Sequence, residues 1–413
     1  MTKTIIVFSF LFLIFLTGVN AQINTDSIFS RSILSAQNKQ YATAVESAKK
    51  ALQTDSKRGD IMVFVANVYA WQNMPDSALV YIKKAQEINY HQTDFYESWT
   101  NILLWSHQYN ALLAGCDEAE KYNYSAEDIL KKRLIAHNEL KNYDLGIRLA
   151  ELPENKIFIL SEPVSSIYSN LLLKRNSNLL AANYSIDFFD AISPQHLGSL
   201  GYSFLIGKQS MGFRANYANR FNRNDLQLET DFYLHLGNKQ YMYFNYGYGF
   251  NYSLFPRHRV GFEYYIPLKY KIDVSIGGRY LNYTSSQVII ITGNVGKYIN
   301  RSSISLRPYY VVNAQRNQQS FSLIGNYRFF AKNEINFWGL ELGFGNSPDD
   351  RYSNSQTLGF NQLTAYKLKV ERNLMLNRIS DIRIGFGYTR EEFITNLFRN
   401  RYTLELGYKL RLK

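Results

Sequence analysis

Nine basic residues, Arg214, Arg220, Arg259, Arg279, Arg307, Arg328, Lys367, Lys369 and Arg383, fall on the polar parity of segments in which apolar and polar residues alternate. In a strand that period places them on one face. A row of guanidinium and ammonium groups on a wetted wall attracts anions, and tyrosines among them offer rings on which sugars stack. Glu229, Asp231, Glu263, Asp273 and Glu341 share the same parity. The competing outcome is ion pairing that braces the wall and spends the charge internally.

Catalysis has thinner support. The second half of the chain offers only His196, His235 and His258, and none stands where a nucleophile–base pair is convincing. There is no metal-ligand spacing and no G-x-S-x-G, and the glycines alternate along strands instead of forming a phosphate loop. The expectation is a protein that is not an enzyme, with no catalytic residue, cofactor or metal. One cysteine, Cys116, excludes an intrachain disulfide framework and reads as a small buried hydrophobe. A formal charge of +12 over 413 residues favours anionic partners such as lipid phosphates or an acidic glycan.

The elements that must position the basic row run from about Leu179 to Leu412. NDLQLETDFYLHL sets Leu226, Leu228, Phe232, Leu234 and Leu236 against Gln227, Glu229, Asp231, Tyr233 and His235. KQYMYFNYGYGF and DIRIGFGYT alternate in the same way, and RYTLELGYKLRLK puts Tyr402, Leu404, Leu406, Tyr408, Leu410 and Leu412 on one parity. Uncharged outer faces of this length suit a transmembrane strand, and the reading gives about 14 of them, with ~12 as the alternative. The 33 Tyr and 27 Phe suit interfacial girdles. Long connections are expected at NYSLFPRH, NAQRNQQ, NSPDDRYSNS and TREEFITNLFRN on the outward side. Short ones are expected at GKQ, GNK and AKNE on the other, with RNLMLNR a longer exception.

The first half has another period. Residues 1–21 have the order of a secretory signal peptide: Lys3, an apolar run from Ile5 to Leu16, and Val19-Asn20-Ala21 at the cleavage site. Export disfavours a nucleic-acid partner. Residues 22–152 read as helices that repeat every 34 positions: Ala51, Ala85 and Ala119; Tyr41, Pro75, Tyr109 and Tyr143; Ala44, Ala78, Leu112 and Gly146. Tyr69, Trp71, Trp99 and Trp105 could line a groove, but at helical spacing they fit packing between repeats better. Residues 153–178 read as a linker in which KIFIL is a short strand and VSSIYSNLLLKR a last helix or an interfacial segment. Residues 179–413 form the barrel.

The 34-residue columns resemble the tetratricopeptide repeat, although Ala66 and Thr100 stand at its Gly column. The resemblance implies a face that docks a periplasmic protein. The last strand resembles the signal read by barrel-assembly machinery, with Glu405, Gly407, Leu410 and Leu412 in the expected order and Lys413 where an aromatic residue often ends such chains. From Asn176 onward, segments such as HLGSLGYSFLIGKQSMGFRANYANRF and GFEYYIPLKYKIDVSIGGRY resemble the YaiO family of outer-membrane β-barrel proteins. That family supplies no functional residues to carry over. Repeats joined to a barrel also resemble exopolysaccharide export proteins in architecture. The combined expectation is a two-domain α + β chain: a periplasmic repeat solenoid and an outer-membrane barrel set in lipid. It would aid export of a polysaccharide or another cell-envelope molecule, with a structural or adhesion barrel of filled lumen as the alternative and a lipid-modifying barrel enzyme as a third.

Overall fold

The computed structural model describes residues 25–413 except 191, 252, 285, 314–317, 332, 346–363 and 395. The expected signal peptide lies outside the described residues. Two compact units meet in sequence between Leu172 and Leu173. The first is helical: α1 (25–37), α2 (Tyr41–Thr54), α3 (Gly59–Trp71), α4 (Pro75–Glu87), α5 (Thr93–Trp105), α6 (Tyr109–Lys121), α7 (Ala126–Glu139), α8 (Tyr143–Ala150) and α9 (Val164–Arg175).

The 34-residue period has a backbone cause as well as a packing one. Ala44, Ala78, Leu112, Ala51, Ala85 and Ala119 are all fully buried, where small side chains let paired helices approach. Lys39, Asn73, His107 and Lys141, also 34 apart, each turn the chain between two helices with φ near +60°, and Asn89 and Asn123 do so at the alternate turns. A left-handed residue just past a helix end lets its amide satisfy the last carbonyls, as Asn73 N does with Ala70 O at 2.9 Å.

One expectation about 153–178 changes, and of two alternatives for its end the helix is the one formed. KIFIL is no strand: residues 153–160 form 3-10 turns, Pro153–Asn155 and Phe158–Leu160. VSSIYSNLLLKR is α9, and Leu171 packs within 3.1 Å of where a Cβ on Gly146 of α8 would stand. The helical stack therefore continues through most of the stretch expected to link the units.

The second unit is a sheet closed on itself. Among the described residues it has fourteen antiparallel strands: β1 (Asn178–Phe189), β2 (Gln195–Ile206), β3 (Gln209–Arg220), β4 (Arg223–Gly237), β5 (Gln240–Gly249), β6 (His258–Leu268), β7 (Ile272–Tyr283), β8 (Ser286–Ile299), β9 (Ser302–Asn313), β10 (Gln318–Phe330), β11 (Phe337–Phe344), β12 (Ala365–Asn377), β13 (Ser380–Ile394) and β14 (Leu397–Leu412). Each pairs with its sequence neighbours, and β14 closes on β1 from Asn178↔Leu412 to Phe189↔Arg401. No helix of the described residues is long and apolar enough to cross a membrane; the strands provide the crossing.

Side-chain parity is as the alternation requires. Leu226, Leu228, Phe244, Ile384, Phe386, Leu404 and Leu406 are exposed on the outer face, while Arg220, Gln227, Glu229, Arg259 and Glu263 are buried within. Two connections differ from expectation. TREEFITNLFRN is no loop, because β13 and β14 run through it and stay paired as far as Ile394↔Leu397. RNLMLNR is likewise the end of β12, which turns tightly into β13 at 378–379. The NSPDDRYSNS segment lies outside the described residues.

At the end of the barrel away from Asn178 and Leu412, an outward tyrosine reaches diagonally to a polar side chain on the next strand. The pairs are Tyr184–His196 at 2.7 Å, Tyr217–Asn224 at 2.9 Å, Tyr246–His258 at 3.0 Å, Tyr310–Gln319 at 2.6 Å and Tyr388–Asn400 at 2.9 Å. In every case the partner sits two positions off the direct register, so one geometry recurs around the rim. Tyr264–Gln240 (2.7 Å) and Tyr327–Ser302 (3.0 Å) repeat it at the terminal end. Such clasps seat tyrosine hydroxyls at the two edges of the apolar band. Replacing Tyr184, Tyr217, Tyr246, Tyr310 and Tyr388 together by Phe should lower the barrel's urea midpoint in vesicles, each lost hydrogen bond costing about 0.5–1 kcal/mol. An unchanged midpoint would show that the clasps add nothing to stability.

Candidate functional site

The nine basic residues all point inside, and most meet carboxylates there. Arg214 pairs with Glu229 and, at 3.1 Å, with Asp231; Arg220 pairs with Asp187 at 3.1 Å. Glu263 joins Arg279 and Arg307, each at 2.8 Å, and also accepts from Ser275 Oγ at 2.5 Å. Arg259 donates from Nε to Asn245 Oδ1 at 3.0 Å. Lys367 meets Glu341 at 2.9 Å, and Lys369 meets Glu405 at 2.6 Å and Glu371 at 3.8 Å. Much of the row thus braces the wall. Asp187, Glu371 and Glu405 were not recognised from sequence as partners; their parity was readable, but which strand lies beside which cation depends on register.

The pairing is uneven around the ring. On β1–β9 the inward-parity cations Arg214, Arg220, Arg223, Arg259, Arg279 and Arg307 are matched by the carboxylates Asp187, Asp225, Glu229, Asp231, Glu263 and Asp273. On β10–β14 the cations Arg328, Lys367, Lys369, Arg383, Arg399, Arg401, Lys409 and Arg411 outnumber Glu341, Glu371, Asp381, Glu391 and Glu405. Arg328 is half exposed, with its carboxylate 3.7 Å away on Glu371. Arg383 donates to the neutral Asn183 Oδ1 at 3.1 Å and has no carboxylate within ion-pair distance among the described residues. Arg328, Glu341, Lys369, Glu371 and Arg383 line one cavity of about 170 Å³.

One feature of the interior had no trace in the alternation. The β5–β6 connection, between Gly249 and His258, folds inward at its described residues 253–255: Leu254 and Phe255 are buried against inward-facing Leu197 of β2 and Ala218 of β3. Asp225 of β4 holds it there. Its Oδ2 accepts from the backbone amides of Ser253 (3.0 Å), Leu254 (2.8 Å) and Phe255 (2.9 Å), and its Oδ1 from those of Leu226 (2.8 Å) and Asn251 (3.1 Å). Consecutive amides converging on one oxygen make an anion nest, here filled by the protein's own carboxylate. Gly249 admits the fold, since a Cβ there would stand 2.6 Å from Pro256 O.

Among the described residues no group of three His, Cys, Asp or Glu side chains could hold a metal. His196 and His258 sit on the outer face, engaged with Tyr184 and Tyr246, and the His235 ring lies 5.9 Å from that of Tyr241.

A family model for the YaiO membrane beta barrel domain matches residues 177–350, which take in β1 to β11. Residues 177–350 carry a YaiO membrane beta barrel domain. The chain is an outer-membrane protein, and its YaiO domain follows a helical repeat region that resembles tetratricopeptide repeats. No curated protein matches the sequence at a significant level. Among solved structures, the YaiO barrel is similar to the outer membrane protein Omp33 of Acinetobacter baumannii (10% identity, 57% of this chain and 100% of that one, TM-score 0.38). It is also similar to a structure described as a bacterial polysaccharide outer membrane secretin (9% identity, 58% and 99%, TM-score 0.41). The repeats are similar to Pseudomonas aeruginosa pilF (16% identity, 38% and 71%, TM-score 0.33).

In the repeats that precede the YaiO domain, the four aromatics divide. Tyr69 and Trp99 pack against the core, while Trp71 and Trp105, again 34 apart, end α3 and α5 about half exposed, at 50% and 53%. Cys116 is buried, and burial pushes its thiol up to about 11. Lys132, also buried, donates to Asp128 Oδ2 at 2.6 Å and Thr100 Oγ1 at 2.7 Å, tying α7 to α5. Burial would raise the Asp128 carboxyl, but Lys131, Lys132 and the Tyr124 hydroxyl outweigh it and draw it down to about 2. A lowered carboxylate stabilises the fold above its unfolded value and loses that contribution as pH falls through the folded one. Asp128→Asn should therefore lower the helical melting midpoint, followed by circular dichroism, by several degrees at pH 7. The gap from wild type should close as pH falls from 4 towards ~2; a gap independent of pH would rule out the ion pair as its source.

Proposed function

We propose that this protein is an outer-membrane conduit that helps move an acidic polysaccharide, or another anionic cell-envelope molecule, across the barrel. The observation that carries the reading is the surplus of cations on β10–β14, above all half-exposed Arg328 and carboxylate-free Arg383 beside a cavity. Charges on the wall of a water-filled passage select the sign of what enters it, without the desolvation cost of a dry site. Tyr265 on the inner face of β6 adds a ring to the interior wall, while Tyr243 is buried with Arg279 5.5 Å from its ring. In this reading the barrel end that carries Asn178 and Leu412 faces the periplasm with the repeats, which dock a periplasmic protein through Trp71 and Trp105. Glu405, Gly407, Leu410 and Leu412 on β14 serve the assembly machinery, and the protein has no catalytic role of its own.

A filled-lumen barrel serving structure or adhesion is the second reading, favoured by the dense pairing around Glu263 and Glu229. Full-length protein in a planar bilayer separates the two. A conduit gives stable, anion-preferring channels that acidic oligosaccharides block better than neutral ones. Arg328→Ala with Arg383→Ala should shift the reversal potential toward cations and weaken the acidic block roughly thirtyfold, at ~1 kcal/mol per lost charge. A folded protein that passes no current supports the filled lumen, and unchanged polysaccharide levels in a deletion strain would count against export.

A further inference from the structure

We infer that Asp225 is the positioning residue of a constriction: it holds the 250–257 connection inside the barrel mouth and thereby sets the bore. The functional part of this inference rests on the conduit reading above.

A connection between adjacent strands β5 and β6 has no topological need to reach β2. This one does, passing across the inner faces of β4 and β3 to bury Leu254 and Phe255 against Ala218 and Leu197. Apolar side chains turned into a wetted interior remain there only if they are covered, and these are 2% and 3% exposed. The burial alone would tolerate many loop paths. The nest selects one, because three successive amides, Ser253 to Phe255, must point at a single oxygen. Asp225 is itself buried, and its partners in the described structure are amides of the connection and of its own neighbour Leu226. Its charge is therefore committed to holding the connection, unlike the carboxylates that pair across the wall.

Position gives the device its consequence. β4 and β11 stand seven strands apart in the closed ring of fourteen, on opposite sides of the interior. An inward fold rooted on the β2–β6 sector therefore narrows the passage from the side facing β10–β12. What remains open at that end is bordered by the sector carrying Lys367 and Lys369, so a permeating chain is pressed towards those cations and meets Arg328 nearer the other end. The constriction and the charge surplus would then act on the same molecule.

The test uses full-length protein carrying Cys116→Ala, so that an introduced thiol is unique. Leu254→Cys reports the connection through its reaction with a membrane-impermeant maleimide, and single-channel current reports the bore. Asp225→Asn turns one acceptor oxygen into an NH₂ group that faces two or three amide donors in either orientation, which opens the nest with little change of volume. The expected result is slow labelling of Leu254→Cys with Asp225 present and fast labelling with Asp225→Asn. Conductance should rise roughly twofold, and larger acidic oligosaccharides should enter, because current grows with the open cross-section. If Asp225→Asn does not fold, replacing residues 251–256 by Asn-Gly removes the strap and predicts the same rise. Equal labelling with and without Asp225 would overturn the assigned hold, and faster labelling with unchanged conductance would overturn the bore. No current from any variant, with the labelling difference present, would overturn the conduit reading itself and leave the nest as a brace.

Discussion

In a hydrocarbon layer, water cannot complete an unpaired amide or carbonyl, so a strand can cross only if both its edges are bonded to other strands. Closure of β14 on β1 meets that demand for the whole ring and determines most of what else is seen. It fixes an even strand number with both ends of the sheet on one side. It also makes every second side chain face lipid and every other one face the interior. Polar residues occupy that interior by bonding to one another, and the buried charges Arg220, Arg279 and Glu263 stand there in ion pairs.

This explains which parts of the molecule were readable in the sequence. Alternation is enforced only where one face meets lipid, so the spanning portions of β4, β5, β13 and β14 were legible residue by residue. Beyond the hydrocarbon both faces meet water, and the constraint lapses. Glu391 and Glu392 stand side by side in β13, the register shifts between Glu392 and Ile394, and the segment reads as a loop although it is paired strand. RNLMLNR misleads for a related reason: Met375 lies on the inner parity of β12, where a polar residue was expected. The helical repeats were legible through a different regularity, the 34-residue recurrence of small buried residues, which the left-handed turn residues share.

Asp225 marks the limit of that legibility. Four of its five amide donors lie between Asn251 and Phe255, 26 to 30 residues away, and backbone donors carry no side-chain signature. In sequence the residue is one more polar position after a tight turn. The ion-pair network is intermediate. Parity told which charges enter the lumen, but pairing Lys369 with Glu405 requires knowing that β12 and β14 flank β13 with their side chains level.

The closing strand shows how two demands can share one set of residues. Glu405 and Gly407 match the order expected of an assembly signal, yet both face inward and shape the lumen. Glu405 holds Lys369, and Gly407 leaves the gap through which Arg383 reaches Asn183 across the β14–β1 seam; a Cβ there would stand 2.9 Å from Asn183 Oδ1. Leu410 and Leu412, on the opposite parity, belong to the outer face and leave the lumen untouched. The two parities of β14 therefore separate the demands. A change at Leu410 or Leu412 alters the outer face and leaves the lumen's ion pairs in place. A change at Glu405 or Gly407 also frees or displaces a lumen cation, so its effect on assembly cannot be read without its effect on the interior.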